Sequence, residues 1–74
     1  MIKKIISIMK RDEIKFKSLI TRLGGSYYHT KHKNNEAGYY AIEVVFDCQG
    51  KFVLLDDIMS AKNYEFYYPE EIGN

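Results

Sequence analysis

The sequence has one cysteine, one proline and two histidines in 74 residues. A lone Cys48 cannot close an intramolecular disulfide, and no Cys/His set has zinc spacing. No apolar run approaches the roughly 18–20 residues of a membrane span. Lys3 and Lys4 precede a short isoleucine-rich stretch, but no small-residue cleavage site follows, so no signal peptide is expected. These scarcities point to a cytoplasmic protein in a reducing compartment, the host cell's cytoplasm if a phage encodes it. They leave no structural metal or cross-link to support a single domain of this size. Such a chain buries a modest share of its surface, so it relies on a good core or on oligomerisation.

What is present is globular in composition: 46% hydrophobic and 15% aromatic residues. The net charge of +1 hides an asymmetry. Residues 1–33 hold nine basic and two acidic residues, for +7, whereas residues 34–74 hold two basic and eight acidic, for −6.

The clearest signal is the stretch Gly38–Asp47. Tyr40, Ile42, Val44 and Phe46 alternate with Tyr39, Ala41, Glu43, Val45 and Asp47. Successive strand side chains face opposite ways, so one face is apolar and the other mixed. A central antiparallel strand is predicted. Met1–Met9 is ambiguous. Ile2, Ile5, Ile6 and Met9 have helical spacing, but four β-branched residues suit a strand, and Lys3 and Lys4 sit badly at a helix start.

Asp12–Leu23 is predicted helical, with Phe16, Leu19, Ile20 and Leu23 as its stripe and Gly24-Gly25 as its exit. Ser26–Lys33 reads as an edge strand and Asn34–Ala37 as a hairpin turn. Asp47–Gly50 reads as a second turn. In Lys51–Asn63, Phe52, Leu55, Ile58 and Met59 can line a helix. The alternative is a hairpin strand over Phe52–Leu55 and a short helix capped by Asp56 or Asp57. Tyr64–Tyr68 is a last strand ended by Pro69, with residues 69–74 a frayed tail. The expected fold is α+β, one domain over 1–74, with a single-layer antiparallel sheet and helices on one face. A ferredoxin-like βαββαβ order is favoured over a long N-terminal helix packed on a four-stranded meander.

No catalytic set emerges, and no enzyme, cofactor or metal is expected. His29 and His32 point to opposite faces of a strand. Cys48 sits beside Asp47, which does not favour a thiolate. The helix, Gly-Gly and strand layout resembles small toxin ribonucleases of the HicA type. Those carry Gly-Ser-His where this chain has Gly25-Ser26-Tyr27. Gly38–Ile42 resembles the aromatic strand of RNA-recognition motifs, but Glu43 and Asp47 on that face repel phosphate.

Seven tyrosines are the informative excess. In the pairs Tyr27-Tyr28, Tyr39-Tyr40 and Tyr67-Tyr68, one ring can enter the core and the other faces outward, as at protein interfaces. The composition resembles that of small accessory proteins of low-GC bacteria and their phages, many of which bind and block one host protein. The expectation is a non-enzymatic binding or inhibitory protein, homodimeric through Tyr39 and Val45 on an uncovered sheet face that also bears Tyr67. Its partner surface is Asp47, Asp56, Asp57, Glu65, Tyr67, Tyr68, Glu70 and Glu71. Carboxylates around aromatic anchors would suit a host protein's basic DNA-binding surface, in a DNA-mimic mode. A nucleic-acid module using the basic first half and an ACT-like small-ligand domain are the alternatives.

Overall fold

The structure is a computed structural model that describes residues 1–30 and 37–71, without the Glu71 side chain. Its elements are β1 (Ile2–Met9), a 3₁₀ turn (Lys10–Asp12), α1 (Glu13–Arg22), β2 (Ser26–His29), β3 (Tyr39–Phe46), α2 (Gln49–Ala61), β4 (Phe66–Tyr67) and a 3₁₀ turn (Pro69–Glu71). The four strands form one sheet in the order β2-β3-β1-β4, with all neighbours antiparallel. The chain is therefore α+β, with elements in β-α-β-β-α-β order.

Ile2–Met9 is a strand, which corrects the alternative of a long N-terminal helix. β1 pairs with β3 along its whole length, from Ile2 opposite Phe46 to Met9 opposite Tyr39. Eight paired residues outweigh a weak helical spacing in a segment rich in β-branched side chains. The decisive residue is Ile8. It lies outside the helical stripe, yet it is buried with Ile6 on the same face of the strand.

Register places Ile6 and Ile8 beside Ile42 and Tyr40 on the face that both helices cover. Phe16, Leu19 and Ile20 of α1 and Phe52, Leu55 and Met59 of α2 complete the core with Val44 and Phe46. Both triplets lie at spacings that share one helical face. Phe46 and Phe52 meet edge to face, 4.9 Å between ring centres.

Each helix ends in a Schellman motif. Past α1, Gly24 adopts φ +85, and the amides of Gly24 and Gly25 donate to Thr21 and Ile20. Past α2, Asn63 adopts φ 60, and the amides of Asn63 and Tyr64 donate to Ser60 and Met59. Lys51 Nζ donates to the Leu23 carbonyl at 3.0 Å, so a cation from α2 closes the C-terminal end of α1. Left-handed backbone disfavours a Cβ at both exits. Gly24→Ala should cost about 1 kcal/mol, and Asn63→Gly should gain up to about 1 kcal/mol, in urea unfolding. No loss in the first variant together with a loss in the second would contradict these exits.

Three boundaries differ from expectation. α2 begins at Gln49, so Asp47–Gly50 is not a free turn; Cys48 is the N-cap, and Gln49 and Gly50 open the helix. A helix over Gln49–Ala61 also removes the hairpin strand and the proposed Asp56 or Asp57 cap, because both aspartates lie inside it. β4 is shorter than Tyr64–Tyr68, because the Tyr64 amide is held by the helix exit and Pro69 has no amide to donate. Residues 69–71 form a 3₁₀ turn rather than part of a frayed tail. The Asn34–Glu36 turn, the strand beyond Thr30 and residues 72–74 lie outside the described residues.

Candidate functional site

The helices cover one face of the sheet and leave the other open. Pairing puts Lys3, Ile5, Ser7 and Met9 of β1 on the open face with Val45, Glu43, Ala41 and Tyr39 of β3. Tyr28 of β2 joins opposite Glu43, and Tyr67 of β4 joins opposite Ser7. Tyr28 is exposed; Ile5, Met9, Tyr39, Val45 and Tyr67 are half-buried. Ser7 and Ala41 are buried although they lie on this face. Small side chains between taller neighbours are shielded, so the middle of the face is recessed. Tyr39 and Tyr67 pack with ring centres 5.3 Å apart, and the Tyr39 hydroxyl donates to Glu65 Oε2 at 3.2 Å. Arg11 lies 3.8 Å from the same carboxylate.

The expected dimer residues Tyr39 and Val45 thus share one surface with Tyr67, as the uncovered face predicts, and Tyr67 lies apart from Tyr68 and Asp56 of the expected partner surface. Tyr67 joins them because neighbouring residues of a strand face opposite ways. Tyr68 faces the helix side, where its hydroxyl donates to Asp56 Oδ1. Lys4 Nζ lies 5.4 Å from the Tyr68 ring centre and 5.5 Å from that of Phe52. Glu70 shares a shallow cleft of about 240 Å³ with Lys3, Lys4, Ile5 and Tyr68. Asp57 is exposed on α2, next in sequence to Asp56. Asp56, Tyr68 and Glu70 therefore collect at the α2–β4 edge, with Lys3 and Lys4 among them.

Asp47 and Glu65 do not join that edge. Asp47 follows Phe46, which pairs with Ile2, whereas the Glu65 carbonyl accepts from the Met9 amide. They mark opposite ends of β1, roughly 20 Å apart along the strand. The Glu71 side chain lies outside the described residues. The acidic second half of the sequence is spread over both ends of the sheet and one edge.

His29 Nδ1 shares a hydrogen bond of 3.1 Å with the Tyr40 hydroxyl. His32 lies outside the described residues. Cys48 is exposed and makes no side-chain cap bond to α2. Among the described residues, no group of three His, Cys, Asp or Glu could hold a metal ion, and no helix is long and apolar enough to cross a membrane. Lys17 donates to Glu13 Oε2 at 2.7 Å, and this bond holds its ammonium above the ordinary lysine value. Both groups are accessible, so the pair is a minor source of stability.

A second concavity lies between α1 and the end of α2. Ile14, Lys15, Ser18, Leu19, Arg22, Lys62 and Tyr64 line it, and its volume is about 430 Å³. Lys15 and Arg22 are seven apart, so they lie two turns apart on one side of α1. That spacing is visible in the sequence, but the arrival of Lys62 depends on how the helices pack. Comparison with known proteins adds no relative: no protein-family model matches the sequence, and no curated protein matches it.

Proposed function

We propose that this protein is a non-enzymatic binding protein that pairs with a second copy through the open sheet face and blocks a partner through the α2–β4 edge. The observation that carries this reading is the placement of both helices on one side of the sheet. Among the described residues, it leaves Ile5, Tyr28, Tyr39, Val45 and Tyr67 without a covering layer. Apolar and aromatic area of this kind favours association, and tyrosine supplies contact area with little entropy loss. Lys3 and Glu43 give the face both signs of charge, which suits a two-fold contact in which each copy meets the same patch.

Pairing in this way leaves the opposite surfaces free. Each copy then presents Asp56, Asp57 and Glu70 with Tyr68 at its edge, and the two-fold doubles that set. The partner is a host protein with a basic DNA-binding surface, such as a sliding clamp, a nuclease or a polymerase, and the bound dimer excludes DNA. Carboxylates beside an aromatic ring support this reading, while Lys3 and Lys4 offset part of the charge.

The experiment is competition. A purified sliding clamp, nuclease or polymerase is loaded with labelled duplex DNA, and the protein is added at increasing salt. The expected result is displacement of DNA that weakens as salt rises. Asp56→Asn, Asp57→Asn and Glu70→Gln combined should weaken displacement about tenfold or more. The side-chain amide oxygen introduced by Asp56→Asn can still accept from the Tyr68 hydroxyl, so the edge keeps its shape. Displacement indifferent to both the salt and the substitutions would remove the acidic edge from the account.

A further inference from the structure

The cleft between α1 and the end of α2 gathers three cations: Lys15, Arg22 and Lys62. Neighbouring cations raise one another's energy unless something of opposite charge joins them. Four other cations of the chain have such partners. Lys17 has Glu13, Arg11 has Asp12 and Glu65, Lys51 has a carbonyl, and Lys4 has two aromatic rings. Lys15, Arg22 and Lys62 have no ion pair or hydrogen bond among the described residues, and no carboxylate lines the cleft. The hydroxyls of Ser18 and Tyr64 line the same space and likewise have no partner among the described residues.

The carbonyl end of α2 points its negative pole toward this region and would oppose an anion. The helix exit offsets that effect. Carbonyls of Ile58, Met59 and Ser60 already accept from the amides of Lys62, Tyr64 and Asn63. The lining also has an apolar part: Ile14, which is 83% exposed, Leu19 and the ring of Tyr64. A volume of about 430 Å³ suits a small ligand.

We infer that this cleft binds a small phosphate monoester with an apolar or planar group, of the nucleoside monophosphate kind. The phosphate takes the three cations and the two hydroxyls, since guanidinium and ammonium groups make strong charge-assisted bonds to phosphate oxygens. The planar group lies against Ile14, Leu19 and Tyr64. This site is separate from the open face and from the acidic edge, so it stands whether or not those act as proposed.

The test is a titration of isotope-labelled protein, followed by amide NMR, with adenosine monophosphate, adenosine and inorganic phosphate at constant ionic strength. The expected result is saturable shifts confined to the amides of α1 and the Lys62–Tyr64 exit, with adenosine monophosphate binding more tightly than either fragment. Arg22→Glu and Lys62→Glu should each weaken binding about tenfold or more. Both positions are exposed, so a native spectrum for each variant separates lost binding from lost fold. Lys10→Glu, outside the cleft, should leave binding unchanged. Shifts spread over all lysines, or equal effects from the three variants, would overturn the proposal. So would tighter binding of a single-stranded oligonucleotide without a terminal phosphate, which would assign these cations to a polynucleotide backbone.

Discussion

Ile42→Ala should lower the unfolding free energy by about 2–5 kcal/mol, and Val44→Ala by about 1–4 kcal/mol, in urea denaturation. Both side chains are buried at the centre of the sheet, where β3 lies between β1 and β2. Ile42 pairs with Ile6 on one side and His29 on the other, so its truncation leaves a void between two strands and two helices. The surrounding rings of Phe16, Phe46 and Phe52 are themselves fully packed, which limits collapse into the gap. Glu43→Ala lies between these two residues in sequence and on the other face of the sheet. It should cost much less, within about 0.5 kcal/mol. Equal losses for Glu43→Ala and Ile42→Ala would mean that the two faces of β3 are reversed.

Gly25→Ala should cost about 1–3 kcal/mol or more, although it adds a single methyl group. Its backbone runs against the ring of Phe46. An added Cβ would stand 2.4 Å from Cε1 and 2.6 Å from Cδ1 of that ring, and 3.0 Å from the Val45 carbonyl oxygen. The ring cannot turn aside, because it is buried against Phe52. The penalty at Gly25 therefore comes from contact, whereas at Gly24 it comes from backbone conformation, with open space around the added atom. Gly25→Ala combined with Phe46→Leu tests this distinction. Removing the ring should make the alanine cost smaller than in the wild-type background. An unchanged cost would place its origin elsewhere.

The sequence carries these features unevenly. β3 was legible because Tyr40, Ile42, Val44 and Phe46 alternate with more polar residues without a break. The helix at Glu13–Arg22 and its Gly24-Gly25 exit were legible from the stripe and the glycines. β1 was only narrowly legible: Ile2, Ile5, Ile6 and Met9 fit a helix, the β-branched residues with Lys3 and Lys4 favour the strand, and pairing with β3 decides. The same holds for α2: Phe52 and Leu55 suit either a strand or a helix, and only burial of Phe52, Leu55 and Met59 against the sheet makes the choice.

The surfaces were harder to read than the elements. Strand parity correctly separates Tyr39 from Tyr40 and Tyr67 from Tyr68. Parity together with the favoured order also puts Tyr39 and Tyr67 on one uncovered face, and β1 lying between β3 and β4 brings their rings together. An acidic run of sequence, by contrast, does not become an acidic surface. Chain order sets Asp47 and Glu65 at opposite ends of β1 and brings Lys3 and Lys4 beside Glu70. The basic cleft was hidden for the same reason: Lys62 belongs to the acidic half of the chain, yet it joins Lys15 and Arg22.

Light scattering of the purified protein across the micromolar range tests the central claim most directly. Two variants serve as comparison: Val45→Glu, placed on the open face, and Ser60→Glu, on the exposed side of α2. The account predicts twice the chain mass for the wild type and for Ser60→Glu, and the monomer mass for Val45→Glu with its circular dichroism unchanged. A wild-type monomer throughout, or a dimer that survives Val45→Glu, would contradict pairing through the open face.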